Sequence, residues 1–170
     1  MKKLLLASLA VALFAGMAMA QVDQSATVNA QVTVNGIWSL TLSTAAVDFG
    51  TWEPGDVCTP VDVVATVRTN QKVAWFLKLS QDGDLLNTSV VPNETIPSNP
   101  NFTYSGSGGA GTWTPGFFQT TPTTAYACDA SEYKAAAGIT LTTALALTIP
   151  APSAAGVYSN VLTYTLTATP

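Results

Sequence analysis

The sequence predicts an all-β protein, a single antiparallel β-sandwich over residues 21–170 behind a leader at residues 1–20. Three observations carry that expectation. Apolar residues recur at every second position in stretch after stretch, the period of a strand with one apolar and one polar face. Gly, Pro, Asn and Asp separate those stretches at short intervals, as turns do. No stretch carries the 3.6-residue period of a long helix.

The first alternating stretch is "ATVNAQVTVNGIWSLTLS". Ala26, Val28, Ala30, Val32 and Val34 alternate with Thr27, Asn29, Gln31 and Thr33, and the parity resumes at Trp38, Leu40 and Leu42. Asn35-Gly36 between the two halves is the strongest short hairpin signal, so residues 26–34 are expected to fold back as a first strand. Their apolar face is small throughout, which also suits insertion along the open sheet edge of another copy. Folding back is the preferred expectation, because a free strand is an association hazard.

In "PVDVVATVR" the inward set is Val61, Val63, Ala65 and Val67, and in "KVAWFLKLS" it is Val73, Trp75, Leu77 and Leu79. Thr69-Asn70-Gln71 reads as a hairpin turn between them, and Asp82-Gly83-Asp84 closes the second strand. Residues 87–116 are rich in loops, with four prolines and a flexible "SGSGGAG" at 105–111; "NFTY" and "TWT" are its minor strand candidates. "AYACDASEYKAAAG" has room for one helical turn. "GITLTTALALTI" restores the period with Ile139, Leu141, Leu145, Leu147 and Ile149, and the end of the chain repeats it with Leu162, Tyr164 and Leu166. The expected core is Trp38, Leu40, Leu42, Phe49, Val63, Val67, Trp75, Leu77, Leu79, Leu141, Leu145, Leu147, Leu162, Tyr164 and Leu166. Short strands with one-sided alternation indicate an immunoglobulin-like sandwich rather than a parallel sheet buried on both faces.

The leader expectation rests on Lys2 and Lys3, an apolar run, and Ala18-Met19-Ala20 before Gln21, the pattern of a secretory signal. The run falls short of the roughly 20 residues a membrane span needs, so no transmembrane anchor is expected. Without Lys2 and Lys3 the remaining chain holds four basic and ten acidic residues, a net charge of −6. One Arg, three Lys and no basic run give nucleic acid no electrostatic purchase.

The chain has no His, which removes Ser-His-Asp, Cys-His and His-metal chemistry. Asp48, Glu53 and Asp56 lie close in sequence, and Asp82 and Asp84 bracket a glycine. Paired carboxylates can cleave glycosides, and such a turn can offer oxygens to Ca²⁺. The simpler reading of both groups is solvated turn residues, and no catalytic, cofactor or metal site is expected. Cys58 and Cys128 would be exported to an oxidising compartment, so one disulfide is expected; two buried free thiols are the alternative. Trp38 and Trp75 share parity with core leucines. Trp52 and Trp113 lie in turn-rich sequence and are the two candidates for a surface aromatic site on a glycan.

"AVDFGTWEPGD" followed by "VAWFLKLS", with "AGVYSNVLTYTLTATP" at the end, resembles a WxL domain. Trp75 and Leu77 stand at its Trp-x-Leu, and Tyr164 and Leu166 at its distal motif, where Tyr164 replaces the second Trp. The resemblance implies a secreted β-sandwich held non-covalently on the bacterial envelope through wall polymers. "DFGTW" and the closing segment are also similar to secreted pilins of the spore-coat-U type, which implies fibre subunits assembled by strand exchange. Both resemblances imply structural or adhesive work at the cell surface, with a wall polymer, a glycan or copies of the chain itself as partner.

Overall fold

A computed structural model describes residues 26–133 and 136–170. The expected leader lies outside the described residues. The chain divides into two units, residues 1–34 and Asn35–Pro170. In the first, residues 26–34 form no strand, and Val28, Val32 and Val34 are 91, 84 and 76% exposed. The hairpin expected at Asn35-Gly36 is therefore absent. A type I′ turn needs positive φ at both central residues, and neither Asn35 nor Gly36 has it.

The second unit is built of antiparallel strands. They are β1 (Trp38–Leu42), β2 (Val61–Thr69), β3 (Trp75–Gln81), β4 (Leu85–Asn87), β5 (Glu94–Ile96) and β6 (Phe102–Gly108). After these come β7 (Thr112–Trp113), β8 (Gly116–Phe117), β9 (Thr123–Cys128), β10 (Ile139–Leu147) and β11 (Leu162–Thr167). One sheet has the order β1-β2-β10-β6-β8, the second β11-β3-β9-β7, and β4 and β5 form a separate pair. The inward residues of the two large sheets meet in one interior, a sandwich arrangement. One half of it gathers Val63, Leu79, Phe102 and Leu145, and the other Val67, Trp75, Tyr126 and Leu141. The long central strand β10 shows how the period works: Ile139, Leu141, Thr143, Leu145 and Leu147 are buried, and the alternate residues Thr140, Thr142, Ala144 and Ala146 are more open.

Three further expectations change. The segment 69–71 is a crossing rather than a hairpin turn, since β2 and β3 lie in different sheets. Both strands carry an unbroken large apolar face, and two such faces are buried by stacking across a core rather than by pairing edge to edge. The glycines of "SGSGGAG" serve close approach. A Cβ at Gly106 would lie 2.0 Å from the Trp113 ring, and one at Gly111 2.2 Å from the carbonyl oxygen of Ala127. Of the residues given room for a helical turn, 125–128 belong to β9, and just beyond them Asp129 Oδ1 accepts the Ser131 N–H at 2.7 Å in a turn.

The expected disulfide between Cys58 and Cys128 is also absent: both thiols are free and buried. Cys58 donates its N–H to the Leu147 oxygen at one end of β10, while Cys128 packs in the cluster that holds Ile139, at the other end. The ends of this nine-residue strand are eight steps of about 3.4 Å apart. A bridge tolerates about 7 Å between Cα atoms.

Candidate functional site

The acidic residues singled out in the sequence organise loops. Asp48 Oδ1 accepts the Gly50 N–H at 2.8 Å, and Asp56 Oδ2 accepts the Glu53 N–H at 3.1 Å. Asp82 Oδ1 accepts the Val161 N–H at 2.8 Å, and Asp84 Oδ1 accepts the Ser98 N–H at 2.9 Å. Among the described residues no three Asp, Glu, Cys or His side chains come together as a metal set. No helix among them is long and apolar enough to cross a membrane.

Glu132, which no sequence pattern marks, ties the Gly-rich segment to β9. Its carboxylate accepts the Ala110 N–H at 3.0 Å, the Tyr126 hydroxyl, and the Cys128 thiol at 3.1 Å. Burial, and then the Glu132 carboxylate, push the Cys128 thiol up to about 12. A thiol held protonated in this way is a poor nucleophile, so Cys128 serves packing.

The four tryptophans separate by environment. Trp75 is fully buried, packs 5.3 Å from the Tyr126 ring and donates Nε1–H to the Glu132 carbonyl oxygen at 2.9 Å. Leu77, its Trp-x-Leu partner, is also fully buried, so the motif faces inward. Trp113 is half-buried over Gly106, 5.2 Å from Tyr126, with Nε1–H donated to the Gly108 oxygen. Trp52 remains exposed on its loop, and its Nε1–H bond to the Phe49 oxygen fixes the ring. Trp38 stands on β1 and is half-buried.

The feature with capacity for binding is the side of the second unit where β1 and β11 meet. Each is the terminal strand of its sheet, and they lie against one another. Trp38, Leu40 and Leu42 of β1 and Leu162, Tyr164 and Leu166 of β11 point to the core, yet all six are only half-buried. Their counterparts on β2 and β3, such as Val67 and Leu77, are fully buried. The result is a seam with apolar walls, flanked by two backbone edges that no strand pairs among the described residues. The opposite edges, β7 and β8, are two residues each, too short to template a strand. The hydroxyls of Tyr164 and Thr143 are buried, and neither makes a well-formed hydrogen bond among the described residues. Burial pushes the Tyr164 hydroxyl up to about 12.

At the entry to β1 the Asn70 carboxamide holds the backbone on both sides of Gly36. Its Nδ2–H donates to the Asn35 oxygen at 2.8 Å, and its Oδ1 accepts the Ile37 N–H at 2.8 Å. Sequence reasoning placed Asn70 in a turn and gave no sign of this contact.

No protein-family model matches the chain, and no curated protein matches it.

Proposed function

We propose that this is a secreted, non-catalytic structural protein of the bacterial cell surface, an immunoglobulin-like sandwich whose copies associate by strand addition. Residues 26–34 of one copy occupy the seam between β1 and β11 of another. One observation carries the reading: a segment with the alternation of a strand forms no strand, while two sheet edges, β1 and β11, are unpaired among the described residues. The segment presents exposed Val28, Val32 and Val34, and the seam presents half-covered Trp38, Leu40, Tyr164 and Leu166. An extended segment laid along a sheet edge gains main-chain hydrogen bonds from the edge and side-chain contacts from every second residue. Small residues suit it, because the seam already holds large ones. The secretory pattern of residues 1–20 and the absence of His support the location and the lack of catalysis.

Sedimentation velocity across a concentration series tests the reading. The chain is expected to form species larger than the monomer as concentration rises, and a chain beginning at Asn35 is expected to remain a folded monomer. Wild type that is monomeric at every concentration would overturn the reading.

A second reading, attachment to a wall polymer or glycan, is favoured by Trp52, an exposed ring fixed by its bond to Phe49. Sedimentation with purified cell wall that is lost in Trp52→Ala would support it.

A further inference from the structure

We infer that Asn35-Gly36 is a site of spontaneous covalent modification, at which Asn35 loses ammonia through a cyclic imide and becomes isoaspartate or aspartate. The inference concerns the second unit alone and does not depend on how copies associate.

The chemistry needs an asparagine carboxamide and the N–H of the next residue, both exposed and free of other bonds. The Gly36 nitrogen gives up its proton and attacks Cγ, the side-chain carbonyl carbon of Asn35. A bond forms from that nitrogen to Cγ, the bond from Cγ to Nδ2 breaks, and the departing nitrogen takes up the proton as ammonia. A side chain on the second residue would crowd the attack, and glycine has none. Asn35 and Gly36 are both exposed. The Asn70 carboxamide holds the groups on either side, the Asn35 oxygen and the Ile37 N–H, at 2.8 Å each. Among the described residues, neither the Asn35 carboxamide nor the Gly36 N–H makes a hydrogen bond. The two reacting groups are thus the ones left unbonded.

The other asparagines lack the combination. Asn70, Asn87, Asn101 and Asn160 have hydrogen-bonded carboxamides, and each is followed by a residue with a side chain. Asn29, Asn93 and Asn99 precede Ala30, Glu94 and Pro100, and a proline has no N–H with which to attack.

Water opens the imide at either carbonyl. Addition at Cγ gives aspartate. Addition at the main-chain carbonyl breaks its bond to the Gly36 nitrogen and gives isoaspartate, whose main chain runs through the side chain. Asn70 Nδ2–H polarises that main-chain oxygen, which favours the second opening. The oxygen then belongs to a carboxylate, and its bond to Asn70 becomes charge-assisted. Either product adds a negative charge just ahead of β1, and isoaspartate also lengthens the main chain there.

Mass spectrometry of peptides from the folded protein, stored warm at pH 7 and at pH 8, tests the inference. The peptide that holds residues 35 and 36 is expected to gain about one dalton. The gain should be about tenfold faster at pH 8, because the attacking nitrogen must first lose its proton. Enzymatic methylation of isoaspartyl carboxylates should show isoaspartate as the larger product. Gly36→Val should slow the gain about tenfold or more. Valine is tolerated there, since Gly36 is not at positive φ and a Cβ would meet only the flexible end of Gln71, at 3.3 Å. Asn35→Gln should slow it likewise, because the longer side chain must close a larger ring. A residue 35 that keeps its mass, equal conversion at the other asparagines, or a product that is aspartate alone would overturn the inference.

Discussion

Trp75 and Trp52 differ by environment and not by chemistry, and their truncation should separate them. Trp75 is fully enclosed and hydrogen-bonded, so Trp75→Ala is expected to cost about 3–5 kcal/mol, as large core truncations do. Trp52→Ala is expected to stay within about 0.5 kcal/mol, the range of surface changes. Urea unfolding of both variants checks the contrast. The cysteines give a second prediction at this scale. Alkylation of the native, unreduced protein at pH 8 should label neither thiol, and denaturation should release two; one bridge and no reactive thiol would contradict the structure. Glu94 supplies the pH dependence. Its carboxylate accepts the Tyr158 hydroxyl and the Ala154 N–H, and these bonds hold it below its ordinary value, the Tyr158 bond contributing most. A carboxylate with a folded value below its unfolded one stabilises above the unfolded value, about 4.3, and the contribution is lost as pH falls through the folded value. Thermal melts should therefore fall more steeply between pH 5 and pH 3 for wild type than for Glu94→Gln. Trp75 was legible from its parity with Leu77 and Leu79. Asn70 and Glu94 were not, because their hydrogen bonds join residues far apart in sequence, and Glu132 was not, because its bonds to Tyr126, Cys128 and Ala110 follow no period.

Among the elements, β2, β3, β10 and β11 appear where alternation predicts them, because a two-residue period has one solution when a single face is buried. What lies between them was less readable. The crossing from β2 to β3 and a hairpin turn use the same polar residues, and only the shared demand of Val63, Val67, Trp75 and Leu77 for an opposing apolar face tells them apart. The glycines at 106–111 carry no outward sign that an aromatic ring will lie on them. They provide the prediction at this scale. Gly106→Ala would drive a methyl group into the Trp113 ring and is expected to cost about 1–3 kcal/mol, as overpacking does. At Gly83 a Cβ meets nothing within 4 Å, so Gly83→Ala should be close to neutral. Equal costs at the two sites, measured by chemical denaturation, would contradict the packing described here. The disulfide expectation failed for a related reason: compartment argues that a bridge can form, and only the fold says that the two thiols occupy opposite ends of the core.

At the scale of the whole molecule, the alternation of residues 26–34 was legible in the sequence, but its outcome was not. A strand pattern reports that a segment suits a sheet; it does not say whose sheet. The half-burial of Leu40 and Leu166, beside the full burial of Val67 and Leu77, identifies the place in the second unit where a further strand would be covered. The candidate site is thus an edge shared by two sheets, with no cluster of reactive groups for a motif to mark. The most direct test mixes two variants, each lacking one half of the contact. A chain beginning at Asn35 retains the seam and lacks the donor segment. A full chain with Leu40→Arg and Leu166→Arg retains the segment and has charged side chains in the seam. Each alone is expected to sediment as a folded monomer. Mixed in equal amounts they are expected to form a one-to-one complex that grows no further, because the complex has one segment engaged and no second open seam. A mixture that remains two monomers, under conditions where wild type associates, would contradict strand addition at this seam.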